Sequence, residues 1–353
     1  MSAETLNSLT TDLFYRLCKF CGWITAHALH RVSNIQHHLW TALPVKSING
    51  LQSKIAIVGT LGTEYANWDR LTVWSEYGRV NLLTLTTPRP RLNPACVVDG
   101  THRLYILGGE DNETDDAEQR YASGVAVDSF DCENVMWETK PDMMTARSDF
   151  GALCMHKELI PMGGNNAHDE VLETIDVCEL GDGSWQRRNT LATARHNFAL
   201  ANIGCDIFAI GGLNDVGDIV PTIEVVSDGG KTIRTLTNIP EPVTGCMATA
   251  LASKLIIIGG QIGPRLSYFA RVQEFDTTTL TWAELQRLPM ELSNGLLFHT
   301  ETRIHVFGGH QKEGVARSTN DVEAIMNSRE GQWIARRSPW NVVFGAAVFF
   351  NCT

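Results

Sequence analysis

Two arginines at matching places in the sequence are the strongest candidates for recognition chemistry. Arg147 lies in the segment TARSDF and Arg195 lies in TARHNF, so the two guanidinium groups recur in the same local context. A guanidinium fork donates paired hydrogen bonds to a carboxylate, and two neighbouring forks would favour an acidic peptide. The alternative is that each arginine pairs with a neighbouring acidic loop of its own chain.

A second candidate for chemistry is a group of cysteines and histidines near the N-terminus. Cys18, Cys21, His27 and His30 form the pattern C-x2-C-x5-H-x2-H, and both residue types are common zinc ligands. The central gap is shorter than in the zinc-finger patterns, and the apolar residues between the ligands are typical of packing. We therefore expect a plain helical segment here and no bound metal.

The motifs of common catalytic sites are missing from the sequence. It contains no G-x-S-x-G nucleophile turn, no G-x-x-x-x-G-K-[ST] phosphate-binding loop and no H-E-x-x-H zinc motif. The residues therefore predict a protein that is not an enzyme, needs no cofactor and acts by binding.

The elements that would position these residues are marked by a recurrence. Apolar runs end five times in a glycine pair, and a weaker copy ends at Gly59. The first glycines of the pairs lie 55, 48, 48 and 49 residues apart: Gly108-Gly109, Gly163-Gly164, Gly211-Gly212, Gly259-Gly260 and Gly308-Gly309. A period near 50 residues predicts a β-propeller. We expect the glycines to supply positive φ or close backbone approach where a strand leaves its sheet.

A tryptophan follows most of these pairs at a similar distance. The indoles are Trp137, Trp185, Trp282 and Trp333, and Ile233 takes this place in the unit of Gly211. A large aromatic side chain repeated in this way is predicted to wedge between neighbouring sheets. Each unit also holds about four short apolar runs bounded by turn residues, which predicts one four-stranded antiparallel sheet per unit.

These features together resemble the kelch repeat, in which an apolar strand ends in a double glycine and a spaced tryptophan follows. The resemblance covers roughly residues 50 to 353 and implies an all-β kelch propeller. Six glycine landmarks predict six blades. The segment NVVFGAAVFF resembles the first strand of other units, and we predict that residues 342–350 complete the first blade and close the ring. The alternative is that residues 41–48 supply this strand, but Pro44 interrupts that segment.

The first 45 residues form a separate segment in this prediction. Apolar residues there recur at spacings of three and four, which indicates a short amphipathic helical segment before the propeller at 50–353. In the BTB-kelch proteins that the repeats resemble, a BTB domain and a helical BACK domain precede the propeller. A segment of this length cannot hold a BTB domain, so it is a remnant of the last BACK helices, an independent cap or the product of a shortened gene model.

Charge and composition exclude several kinds of partner. The net charge is -11 and no basic run occurs, which disfavours nucleic acid. The sequence contains no run of 18 apolar residues, so no membrane span is expected. Arg16 and Lys19 interrupt the N-terminal apolar stretch, so no secretory signal is expected. Nine cysteines, mostly in apolar strand runs, favour reduced core thiols and a cytoplasmic or nuclear protein.

The kelch resemblance also implies where a binding face lies. In kelch proteins the loop after each glycine pair and the loop before each first strand share one face, and loops on a rigid scaffold commonly carry recognition. The residues predicted to bind a partner are Arg91, Asn93, Arg147, Ser148, Arg195, His196, Asn197, Asn165, Asn214, Gln261 and His310, with Arg89, Ser293 and Asn294 beside them. The acidic loop that begins at Glu110 is predicted to be a solvated flap or selectivity element.

The predicted function is an intracellular scaffold that binds a protein or an acidic peptide on this face. The resemblance implies a substrate-recognition propeller of a cullin-RING ubiquitin ligase adaptor, and the alternative is an actin-binding kelch protein. The competing class is an enzyme on a kelch scaffold, of the sugar epimerase or oxidase type. In that case Arg147, Arg195 and His196 would line the channel.

Overall fold

The structure is a computed structural model, and it describes most of the repeat region. The described residues are 53–61, 70–75, 81–89, 91, 93–99, 103–110, 124–131, 136–263, 267–299, 303–307, 309, 322–327, 332–337 and 342–351. The predicted helical segment 1–45, its Cys-His pattern, the alternative strand at 41–48, most of the acidic loop after Glu110 and His310 lie outside the described residues.

The described part of the chain is all-β, and its strands form four-stranded antiparallel sheets. The first sheet contains β1 (Ser53–Leu61), β2 (Arg70–Ser75), β3 (Asn81–Thr86) and β26 (Val342–Asn351). The second contains β4 (Ala95–Val98), β5 (Arg103–Leu107), β6 (Val127–Asp131) and β7 (Met136–Lys140). The third contains β8 (Gly151–Met155), β9 (Glu158–Met162), β10 (Thr174–Glu179) and β11 (Trp185–Thr190).

The remaining sheets repeat this plan. The fourth contains β12 (Ala199–Ile203), β13 (Asp206–Ile210), β14 (Thr222–Ser227) and β15 (Thr232–Asn238). The fifth contains β16 (Met247–Leu251), β17 (Lys254–Ile258), β20 (Val272–Asp276) and β21 (Thr281–Leu285). The sixth contains β22 (Leu296–His299), β23 (Arg303–Phe307), β24 (Val322–Asn327) and β25 (Trp333–Arg337). A small ribbon, β18 (Gln261–Ile262) with β19 (Ser267–Tyr268), and a short 3-10 turn at Asp228–Gly230 complete the described elements.

Strand order and neighbourhood fit a propeller-like fold. In the second to sixth sheets each strand pairs with the next one of its own sheet along the chain. In the first sheet β26 pairs with β1 in antiparallel register, with Ile55 opposite Phe349. The first strands lie side by side in the order β4, β8, β12, β16, β22 and β26, and β26 in turn lies beside β4.

The apolar core lies between neighbouring sheets. Side chains of the fourth sheet such as Phe208 and Val225 pack against Leu255 and Phe275 of the fifth. Equivalent clusters join the second sheet to the third, the third to the fourth and the fifth to the sixth. Burial of apolar surface between stacked sheets therefore holds the repeats together.

Three of the predicted tryptophans, Trp185, Trp282 and Trp333, pack in the apolar clusters between neighbouring sheets. Trp185 Nε1 donates a hydrogen bond of 3.0 Å to the Pro141 carbonyl beyond the end of the second sheet. Trp333 Nε1 makes the matching bond of 2.9 Å to the Gln286 carbonyl of the preceding repeat. Ile233 holds the same register position in its sheet, opposite Val226, which confirms that it substitutes for the indole.

The glycine pairs have the backbone conformation that the sequence predicts. Gly163 has a φ of 61° and Gly164 a φ of 89°. A Cβ on Gly163 would lie 2.6 Å from the Arg195 carbonyl oxygen, and the Gly164 N–H donates to that same oxygen at 2.9 Å. The pair therefore docks each second strand on the next repeat, as a residue with a Cβ could not.

The cysteines only partly follow the prediction of core thiols. All the cysteines that the structure describes are free thiols, and Cys178 and Cys246 are buried. Cys205 is exposed, because it lies in the tight turn between β12 and β13 rather than in a strand.

Candidate functional site

The predicted binding arginines lie inside the protein. Arg147 and Arg195 are both 0% exposed, and Arg91 is also buried. Arg147 Nη2 lies 2.7 Å from Asp176 Oδ2, Arg195 pairs with Glu224, and Arg91 pairs with Asp128. The prediction that Arg147 and Arg195 present their guanidinium forks to a peptide is therefore not met. The alternative of internal pairing fits better, although the partner carboxylates lie in third strands and not in loops.

Each arginine also donates a hydrogen bond to the glycine pair at the end of the second strand of its own sheet. Arg147 Nη1 donates a 2.7 Å hydrogen bond to the Gly163 carbonyl, and Arg195 Nη1 donates one of 3.0 Å to the Gly211 carbonyl. Burial lowers the pKa of both guanidinium groups, and the neighbouring carboxylate opposes that shift. Each arginine therefore links the segment before the first strand of its sheet to the second and third strands of the same sheet. We call this link the arginine staple.

In the last two repeats, both the arginine and its partner carboxylate are replaced. The place of Arg147 and Arg195, whose carbonyls meet a glycine pair, is taken by Val243 and Leu292. The strand position that Glu224 occupies holds Gln273 in β20 and Ala324 in β24. A buried charge is costly without its partner, so loss of the arginine goes together with loss of the carboxylate.

The segments before the first strands converge on a common mouth. We define the mouth ring as the residues that precede these strands with positive φ, between 47° and 58°: Asn93, Asp149, Asn197, Gly245 and Asn294. Backbone hydrogen bonds join four of its members, Asp149, Asn197, Gly245 and Asn294, from sheet to sheet. Asn197 N donates to the Asp149 carbonyl at 2.9 Å, Gly245 N to Asn197 at 2.9 Å, and Asn294 N to Gly245 at 2.8 Å. Main-chain hydrogen bonds therefore set the shape of the mouth.

The residues that follow the glycine pairs pack beside this ring. Asn165 exchanges two backbone hydrogen bonds with Ser148, of 2.9 and 3.0 Å, and Gln261 does the same with Thr244 at 2.8 and 3.0 Å. Ser148 is 2% exposed, whereas Asn165 and Gln261 are half-buried. The ends of the second strands and the starts of the first strands thus build one surface.

A cavity of about 470 Å³ opens at this surface. The starts of five first strands line it, and its members are Asn93 to Cys96, Asp149 to Ala152, His196 to Leu200, Cys246 to Ala248 and Asn294 to Leu297. Each of these strands is the edge strand of its sheet, so backbone groups on its free side face the cavity. Polar side chains lie at the mouth, and mostly small or apolar residues lie deeper.

Three titratable groups meet at the mouth. Burial, reinforced by Asp149, raises the pKa of Glu110 to about 7, although Ser148 and Asn93 hydrogen-bond to its carboxylate. Burial also raises the pKa of Asp149, and His196 opposes that shift. The pKa of His196 is lowered by burial against the pull of Asp149, and its Nδ1 lies 3.3 Å from Asn165 Nδ2. This arrangement can hold a proton or attract a cation.

Other predicted site residues have different roles. Asn214 shapes its own loop, because its Oδ1 accepts hydrogen bonds from the N–H groups of Val216 at 3.1 Å and Asp218 at 2.8 Å. Arg89 joins the pair at Asp128, at 2.8 Å. The predicted residues that the structure brings together at the mouth are Asn93, Ser148, Asn165, His196, Asn197, Gln261 and Asn294.

Two functional candidates were missed by the sequence argument. Asp149 takes a position that holds Asn93, Asn197 and Asn294 in other repeats, so an acid at an amide position was the available signal. Glu110 was assigned to a solvated flap, yet it is half-buried and hydrogen-bonded.

Metal ligands and membrane spans can be assessed for the described ranges. Within them, no three His, Cys, Asp or Glu side chains are grouped so that they could hold a metal ion. No helix in the same ranges is both long enough and apolar enough to cross a membrane.

Comparison with known proteins gives the fold and no more. No family model and no curated protein matches the chain. A solved structure titled "Structure of YjhT" matches with a TM-score of 0.65 and 12% identity, over 76% of this chain and 91% of that chain. At this identity the likeness shows the fold alone, and membership of the kelch family stays a prediction from the repeated motif.

Proposed function

We propose that this chain is a six-bladed kelch propeller that binds a protein partner on its loop face. Six four-stranded sheets and the cyclic neighbourhood of their first strands support the blade count. The antiparallel pairing of β26 with β1 supports closure of the ring by the C-terminal strand.

The cavity at the mouth is the single observation that carries the binding function. Segments from five sheets converge on it, and backbone hydrogen bonds between repeats hold them in place. Side chains held in this way on a rigid scaffold pay little ordering entropy on binding, which suits recognition. The partner is intracellular in this proposal, and the chain serves as the recognition propeller of a cullin-RING ligase adaptor or, alternatively, as an actin-binding protein.

The charge at the mouth favours a different kind of partner from the acidic peptide that the sequence suggested. The nearby arginines are paired internally, whereas Asp149 lines the cavity and Glu110 lies beside it, near Ser148 and Asn93. Electrostatic complementarity therefore favours a neutral or cationic segment over an acidic peptide.

Affinity capture of the full chain from cells, with quantitative mass spectrometry, tests this proposal. The binding variant combines His196→Ala with Asn197→Gly, because glycine keeps the positive φ of that position. The control is Lys157→Gln, in the exposed turn between β8 and β9 at the other end of the strands. We expect one set of proteins to be lost by the binding variant and kept by the control. A folded binding variant that captures the same proteins as the unmodified chain would overturn the proposal.

A second candidate function is an enzyme on the same scaffold. The observation that favours it is that two groups with shifted pKa values both interact with Asp149 in the cavity wall: Glu110 has a pKa of about 7 and His196 a lowered pKa. A thermal-shift screen with neutral and acidic monosaccharides tests this candidate. Stabilisation by one sugar that Glu110→Gln abolishes would favour it, and no stabilisation by any of them would count against it.

A further inference from the structure

We infer that the cavity receives a positively charged side chain, lysine or arginine, from the protein partner. This inference rests on the proposed binding function and specifies the chemistry of its central contact. It follows from the distribution of charge, the position of Asp149 in the cavity wall and the rest of the cavity lining.

Negative charge at the mouth is not neutralised by nearby arginines. Arg91, Arg147 and Arg195 lie below the surface and are paired with Asp128, Asp176 and Glu224. Glu110 lies beside the mouth and interacts with Asp149, and Asp169 adds further negative charge near it. With a pKa of about 7, Glu110 is about half ionised at neutral pH. Field lines concentrate in a cleft that carries one sign of charge, so a cation is drawn to this mouth.

Asp149 is the acidic residue in the lining of the cavity. Its carboxylate lines the cavity, and among the described residues it receives no hydrogen bond from a side chain or a backbone N–H. His196 is its nearest source of positive charge, and the lowered pKa of that imidazole leaves it neutral near pH 7. The half-buried Asp149 carboxyl group is open to the cavity, and an ammonium or guanidinium group there would form charge-assisted hydrogen bonds with it.

The deeper lining suits the alkyl stem of such a side chain. Ala95, Gly151, Ala152, Ala199 and Ala248 line the cavity below the ring and leave room between the strands. Lysine and arginine carry three or four methylene groups that pack on apolar surface while the charged end reaches polar groups. The unpaired carbonyls along the edge strands offer further acceptors to the cation.

Isothermal titration of the full chain with blocked tripeptides tests this inference. The probes are acetyl-Gly-X-Gly-amides in which X is lysine, arginine, norleucine or glutamate. We expect saturable binding of the lysine or arginine peptide that weakens as salt is raised, with much weaker binding of norleucine and none of glutamate. Free ethylamine is titrated separately. If ethylamine bound as tightly as the lysine peptide, the peptide backbone and the rest of the side chain would contribute nothing to the affinity.

The repeats themselves supply variants that preserve the fold. Asp149→Asn introduces the residue found at Asn93 and Asn197, and Glu110→Gln introduces the residue found at Gln261. Each should weaken binding of the cationic peptide about tenfold, the usual effect of removing a charge from a hydrogen-bonded ion pair. The matched control is Asp215→Asn, an exposed carboxylate in a loop outside the cavity, which should leave binding unchanged.

Three outcomes would overturn the inference. They are equal binding of the norleucine and lysine peptides, tighter binding of the glutamate peptide, and unchanged affinity in folded Asp149→Asn protein. None of these would affect the proposed binding function, which depends on loss of captured partners in the His196→Ala, Asn197→Gly variant. Conversely, cation binding without any such loss would leave a cation site but remove the proposed function.

Discussion

At the scale of single residues, the arginine–carboxylate pairs show that one position can be satisfied in two chemical ways. Arg195 and Glu224 are both fully buried and paired, whereas the equivalent pair in the next repeat is Val243 and Gln273. A buried ion pair stabilises little relative to apolar residues of similar size, but half of such a pair is strongly destabilising.

Replacing Arg195 by valine should therefore lower the free energy of unfolding by about 3–5 kcal/mol, because Glu224 stays buried without its partner. The double change Arg195→Val with Glu224→Gln should recover most of that loss, since it copies the pair found in the next repeat. Urea denaturation of both variants measures the difference. Equal stability of the single and double variants would contradict the staple role.

Glu110 makes the stability of the wild-type protein depend on pH. Its pKa is about 7 in the folded protein against an ordinary 4.5, so the folded state binds the proton more tightly between these values. Stability from this group is greatest at low pH and falls as the pH rises through that window. Glu110→Gln should remove this dependence and stabilise the protein by about 1 kcal/mol at pH 8, after allowance for solvent screening, and by little at pH 4.5.

Thermal unfolding at pH 4.5, 6 and 8 checks this expectation. The difference between wild type and Glu110→Gln reports Glu110 together with its coupling to Asp149, because the two carboxyl groups interact. A stability difference that stays constant with pH would show that the carboxyl titrates normally.

The polar residues of the mouth could be predicted from the sequence, but not that the arginine side chains beside them point into the protein. The segments TARSDF and TARHNF reveal a recurring charge, and nothing local shows that Asp176 and Glu224, each 29 residues later, are its partners. Burial of Asp149 likewise depends on segments from neighbouring repeats, which a single local pattern does not contain.

At the scale of elements, the glycine pair is the joint between repeats. The positive φ and the tight contact both follow from the strand leaving its sheet against the next loop. These features could be predicted from sequence because the pair, the apolar run before it and the spaced tryptophan recur together. The role of Ile233 was predictable for the same reason, since the period alone locates it.

Gly163→Ala should lower the free energy of unfolding by about 2–3 kcal/mol, through backbone strain together with overlap of the new Cβ with the Arg195 carbonyl. The matched control is Gly204→Ala, where φ is 58° but no atom lies within 4 Å of the added Cβ. It should cost about 1 kcal/mol, the conformational penalty alone. Equal losses in the two variants, measured by urea denaturation, would show that the contact between repeats contributes nothing.

At the scale of the whole molecule, the pairing of β26 with β1 joins the two ends of the described chain. Without β26, β1 keeps β2 but loses its pairing strand on the other side, and the first strands β22 and β4 lose the neighbour that lies between them. A repeat array with two open ends would expose strand edges and apolar faces to water.

Deletion of residues 342–353 should therefore abolish cooperative unfolding, because in the proposed closed ring every sheet packs against two neighbours. Differential scanning calorimetry of the truncated and full chains measures this directly. A truncated chain that melts in the same single transition would show that the ring does not need its C-terminal strand.

The positive φ values of the mouth ring have a consequence for which charges this surface can acquire. A left-handed backbone favours glycine, asparagine and aspartate, so the substitutions that cost least at Asn93, Asp149, Asn197, Gly245 and Asn294 keep the ring neutral or acidic. The backbone thus favours one sign of charge at this surface, although His156 and Lys157 show that a basic residue can adopt the same conformation. Redesign of the cavity for an anion would best use the positions after the glycine pairs, such as Asn165 and Gln261, which carry no such preference.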